Sequence, residues 1–125
     1  MKIIGIIGSR RRDSTADLVK VAEAFKLFYE DGDIIVSGGC RKGGDRFAEM
    51  IAKQMDIEII IHYPESVPYN SPKWAYAKAN YDRNTLIARD ADLLIACVAE
   101  DRKGGTEDTI KKYLKLDKNQ LYIVG

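Results

Sequence analysis

With two cysteines, Cys40 and Cys97, and a single histidine, His62, the chain has neither a disulfide framework nor a cluster spaced to ligate a metal. Its three prolines, Pro64, Pro68 and Pro72, fall together, so only one loop of any length is expected. No apolar run approaches the roughly 20 residues that cross a bilayer, which excludes a membrane helix. Neither sign of charge is in excess: 20 Lys and Arg against 19 Asp and Glu leave a formal +1, so no global field draws the chain to nucleic acid or an anionic surface. Repeats, low-complexity tracts and a leader-like N-terminus are missing too. What remains is one domain over residues 1–125, with enough hydrophobic residues, 46%, for a single core and free thiols that suit a cytoplasmic setting.

The hydrophobic pattern predicts strands alternating with helices. Met1–Gly8, Asp33–Ser37, Ile57–His62, Asp92–Cys97 and Gln120–Val124 are short, nearly continuous apolar runs, the pattern of strands buried on both faces. Between them, Thr15–Glu30, a segment from Asp45 to Met55, Lys73–Arg89 and Thr106–Lys115 repeat apolar residues at helical spacing. Asp13 or Ser14 caps the first helix and Asp45 the second. Such alternation implies an α/β fold, a Rossmann-like, three-layer, doubly wound parallel sheet of five strands in the order 3-2-1-4-5. Chain direction reverses between strands one and four, and a crevice opens beyond their carboxyl ends.

Every glycine-rich turn opens onto that rim: Gly8-Ser9 after strand one, Gly38-Gly39 and Gly43-Gly44 after strand two, Gly104-Gly105-Thr106 after strand four. Glycine admits close backbone approach, and the free amides of a following helix favour an anion. Arg10, Arg11, Arg12, Arg41, Lys42, Arg102 and Lys103 share these loops. A polyanion track is an alternative reading of the same cations. The standard phosphate fingerprints, G-x-G-x-x-G after strand one and G-x-x-x-x-G-K-[ST], are absent, so neither a conventional dinucleotide fold nor a P-loop ATPase is indicated. Arg83, projecting back along the third helix, is expected to bring its guanidinium to the GGTED turn, with Asn84 beside it. Glu107 and Asp108 suit a helix's first turn for dipole reasons alone, or hold a ribose hydroxyl and stabilise charge at a sugar carbon. His62 is expected to be a loop-edge residue. Tyr63, Tyr69, Trp74, Tyr76 and Tyr81 fit base stacking, a dimer contact or core.

IIGSR (Ile6 to Arg10), IVSGGCRKGGDRFAEMIA (Ile35 to Ala52), RNTLIARDADLLIAC (Arg83 to Cys97) and GGTEDTI (Gly104 to Ile110) together resemble the SLOG superfamily, most closely its YspA/YpsA-related branch of small stand-alone domains. The resemblance implies a Rossmann-like domain that binds nucleotides or their derivatives, often as a homodimer. It is more distant to the DNA-processing domains and to the LONELY GUY phosphoribohydrolases, whose R-K-x-x-M motif is similar to RNTLI and carries Arg83 over. The P-G-G-x-G-T-x-E-E motif of the same enzymes is matched by GGTED without the proline, with Thr109 where a second acid would stand.

The resulting expectation is a nucleotide or phosphorylated ribosyl ligand cradled by Gly8, Ser9, Arg10, Gly38, Gly39, Asn84, Gly104, Gly105 and Thr106. Arg83 and Glu107 or Asp108 form the centre of any N-glycosidic hydrolysis. No metal or cofactor is called for. The alternatives are a sensor without turnover, a nucleoside deoxyribosyltransferase-like enzyme and single-stranded nucleic-acid binding.

Overall fold

The computed structural model describes every residue from Met1 to Gly125. The strands are β1 (Ile3–Gly8), β2 (Ile34–Gly38), β3 (Ile59–His62), β4 (Leu93–Cys97) and β5 (Leu121–Val124). Four helices alternate with them: α1 (Thr15–Phe28), α2 (Gly44–Met55), α3 (Lys73–Asp90) and α4 (Gly105–Lys115). All pairings are parallel and the order is β3-β2-β1-β4-β5. The expected architecture and strand order are therefore those observed, with element ends displaced by a residue or two.

Alternation along each strand divides the core into two layers. Ile4, Ile6, Ile35, Leu93, Ile95 and Cys97 face α1 and α2, where they meet Val21, Phe25, Phe47 and Ile51. Ile7, Val36, Leu94 and Ala96 face the opposite way onto Ile87 and Ala88 of α3 and Ile110 and Tyr113 of α4. Phe25 and Phe47 are fully buried, each contributing roughly 1.5–3 kcal/mol of burial free energy. In register, Ile4 sits between Ile35 and Leu93, and Gly8 pairs with Cys97, so β1 and β4 end level with one another.

Helix starts differ from expectation in one informative respect. Ser14, rather than Asp13, caps α1 through a reciprocal box with Asp17. Asp45 does not cap α2: the N-cap is Gly43, without a side-chain hydrogen bond, and Asp45 lies inside the first turn with its carboxylate aimed back at the β2 turn.

Candidate functional site

Beyond the carboxyl ends of β1, β2 and β4 the helix starts enclose a cavity of about 540 Å³. Its walls come from the turns after β1, β2 and β4 and from the middle of α3. The two glycine-led helix starts differ in what they face. A Cβ on Gly44 would lie 2.2 Å from the Gly8 nitrogen and the Ile7 carbonyl carbon, so α2 begins in direct backbone contact with β1. At α4, Gly104 takes φ +120 and ψ −170, a conformation open in practice only to glycine, and no side chain caps the helix. A Cβ on Gly105 would meet nothing nearer than the Asn84 Nδ2, 3.9 Å away. The Glu107 amide donates to the Gly104 carbonyl, but the Gly105 and Thr106 amides are the orphan donors of a helix start beside open space.

Asp45 is the acid of the cavity. Its Oδ1 accepts from Ser37 Oγ at 2.8 Å and from the Gly38 amide at 3.3 Å, and its Oδ2 accepts from the Cys40 amide at 3.1 Å. It is buried and lines the cavity. Sequence reasoning gave it a cap's role and missed this one; its one visible signal was an acid directly after paired glycines.

Arg83 also lines the cavity, but it does not reach the GGTED turn as expected. It packs against Gly38, where an added Cβ would come within 2.5 Å of Arg83 Nη1 and 2.7 Å of Asp45 Oδ2. Its Nε donates to Asn84 Oδ1 at 2.9 Å and no carboxylate lies within ion-pairing distance. The residue that meets the turn is Asn84, 5% exposed, whose Nδ2 donates to the Gly105 carbonyl at 3.4 Å and to Asp108 Oδ2 at 3.2 Å. Adjacent helix positions diverge by about 100°, so with Asn84 turned to α4, Arg83 is carried toward β2.

Neither Glu107 nor Asp108 lines the cavity. Glu107 accepts both arms of the Arg102 guanidinium, at 2.8 and 2.9 Å, and Asp108 pairs with Lys112 at 2.9 Å. Other rim cations are neutralised in the same way. Arg11 donates twice to Asp101 and once to the Lys103 carbonyl, and Arg12 joins Asp17 to the Val98 carbonyl. Hydrogen bonds from these guanidinia hold the Asp101 and Asp17 carboxyls below the usual range. Arg10, Arg83 and Lys103 are left as lining cations without an acid partner.

Of the remaining expected residues, Gly8, Ser9, Gly39, Gly104, Gly105 and Thr106 line the cavity, while Gly38 lies behind Arg83 and Asp45. His62 ends β3 and pairs with Asp90 Oδ2 at 2.6 Å. Cys40 lies two residues beyond β2 and lines the cavity; Cys97 is buried in β4, where burial pushes its thiol up, and both are unpaired. Tyr63, Tyr69, Trp74, Tyr76 and Tyr81 are all exposed, which removes the core reading for them.

No family model matches the chain, and no curated protein does. Among solved structures the chain is similar to the molybdenum cofactor binding protein from the phototrophic bacterium Rippkaea orientalis. The likeness has a TM-score of 0.69 at 20% identity and spans 99% of this chain and 89% of that one. At that identity the similarity is one of fold.

Proposed function

We propose that the cavity binds a nucleotide or nucleotide derivative through its phosphorylated ribose. The observation behind this reading is that an unpaired guanidinium, Arg83, and the uncapped first turn of α4 face one polar cavity. The Gly105 and Thr106 amides take the phosphate, with Arg83, Arg10 and Lys103 supplying counter-charge. Asp45, already held by three donors, accepts from ribose hydroxyls. Gly8, Ser9, Gly39 and Gly104 shape the wall. The SLOG resemblance belongs to the same proposal. The fold neighbour, a molybdenum cofactor binding protein, supports small-molecule binding on a fold of this kind.

Turnover is a separate step of the proposal. In N-glycosidic hydrolysis water adds to the anomeric carbon, the base leaves with the bond's electron pair and a proton, and a carboxylate stabilises the oxocarbenium-like sugar. Asp45 is the one carboxylate lining the cavity, so the step falls to it. The ion pairs of Glu107 and Asp108 favour leaving those two as structure. A deoxyribosyltransferase mechanism needs a glutamate nucleophile, and no glutamate lines the cavity. Nucleic acid is not proposed as a ligand, because Arg11, Arg12 and Arg102 are tied to acids. No helix is long and apolar enough to cross a membrane; a cytoplasmic homodimer is proposed, built on the exposed half of α3.

The test is calorimetry with nucleoside monophosphates, followed by chromatographic assay of base release. Binding lost on Arg83→Ala supports the site. Release by the wild type that survives Glu107→Gln and Asp108→Asn but not Asp45→Asn supports hydrolysis at Asp45. Binding without release from any nucleotide makes the protein a binding module; no binding at all removes the proposal.

A further inference from the structure

The cavity is lined mostly by polar residues and glycine, and no aromatic side chain lines it. Its apolar side chains are Ile7, Cys40, Pro64 and Ile87, and Ile7 and Ile87 are buried residues that show only an edge to the space. A nucleobase is a flat, largely apolar plate, and proteins that read one stack it on an aromatic face or pair its edge in a fitted slot. A sugar phosphate needs the opposite: convergent amides, cations and a hydroxyl-accepting carboxylate, which are what Gly105, Thr106, Arg83 and Asp45 provide.

One aromatic ring stands just outside. Tyr63 packs against Gly39 so closely that a Cβ there would fall 2.1 Å from its Cε1, yet the residue is 63% exposed. It stands at the cavity's lip without lining it.

We infer that the site reads phosphate and pentose alone and leaves the group on the anomeric carbon outside, so that its ligand class is phosphorylated pentoses whatever their base. This rests on the phosphoribosyl reading of the same cavity and deepens it. Polar recognition groups carry the discrimination here, because a buried polar group left unpaired by the wrong ligand costs far more than a missing solvent-facing contact.

The experiment is calorimetry of the full chain with ribose 5-phosphate, AMP, CMP and adenosine, repeated on Tyr63→Ala. Expected are dissociation constants for the three phosphorylated compounds within threefold of each other, adenosine at least 30-fold weaker, and no change for any of them in Tyr63→Ala. AMP binding more than tenfold tighter than both ribose 5-phosphate and CMP overturns the inference and leaves the phosphoribosyl reading intact. Weakening of AMP but not ribose 5-phosphate in Tyr63→Ala does the same. If none of the three phosphorylated compounds binds, both the inference and the underlying reading fall.

Discussion

Gly44 and Gly105 both follow a strand and start a helix, but their surroundings make opposite demands. A methyl on Gly44 would run into the backbone of Ile7 and Gly8, so Gly44→Ala is expected to cost about 3 kcal/mol, the upper end of overpacking, read as a lower urea midpoint. Gly105→Val has room for its Cβ and should leave stability within about 0.5 kcal/mol while lowering nucleotide affinity at least tenfold by filling the approach to the α4 amides. Equal affinity in Gly105→Val would put the ligand elsewhere. Asp17 illustrates charge at the same scale. The hydrogen bond from Arg12 outweighs the opposing effect of burial and lowers its carboxyl. A carboxyl lowered in the folded state stabilises at pH values above its unfolded value of about 3.9 and loses that contribution as pH falls through the folded value. Stability should therefore decline below about pH 4, and Asp17→Asn should lower stability at neutral pH while flattening that acid decline. Urea midpoints from pH 2 to 6 that fall equally steeply in both proteins would refute this.

Helix α3 is buried in the core at one end only. Its buried residues are Asn84, Ile87 and Ala88, all in its last turns. The carbonyls of Ala88, Arg89 and Ala91 at that end receive Lys118 Nζ at 3.0, 2.7 and 2.7 Å, a cation set on the negative end of the helix dipole. Lys118 also lies 5.6 Å from the centre of the buried Tyr113 ring. Because α3 carries Arg83 and Asn84, this clamp positions the cavity wall. Lys118→Met should cost about 2 kcal/mol from lost charge-assisted hydrogen bonds, lowering Tm by roughly 5–10 °C, and hydrogen exchange should accelerate first in the last turns of α3. Unchanged exchange there would show that the apolar contacts alone hold the helix.

On the scale of the whole molecule, the first ten residues of α3, 73–82, contain no buried residue and present Trp74, Tyr76 and Tyr81 to solvent, Trp74 at 69% exposure. A helical stretch of that length is marginal on its own; its Lys78 and Asp82 already pair with each other at 2.7 Å, which leaves the exposed aromatic side chains as the face proposed to meet a second copy. Sedimentation velocity should show a dimer at micromolar concentration. The double variant Trp74→Glu, Tyr81→Glu should sediment as a monomer with unchanged far-ultraviolet circular dichroism, because neither side chain supports the core. A wild type that remains monomeric at about 100 µM would reject this interface.

Strand count, strand order and the rim on which the loops gather were legible in the sequence because they depend on short-range signals: continuous apolar runs, helical spacing and glycine at turns, combined with the handedness of parallel crossovers. The identity of the lining residues followed in large part, since a residue in a strand-to-helix turn of this fold has few other places to go. Only the tertiary structure decided which charges are free. Ion pairing depends on side-chain ends meeting across loops far apart in sequence, as Arg11 meets Asp101, so a count of rim cations overstates those available to a ligand. Orientation about a helix axis was equally hidden: a rotation of one residue's worth turned Asn84 to α4 and Arg83 to β2. The exchange of Glu107 and Asp108 for Asp45 as the acid in the cavity has the same origin, because the direction of a side chain in a helix's first turn is set by what packs on that turn, and that is known only once the sheet has assembled.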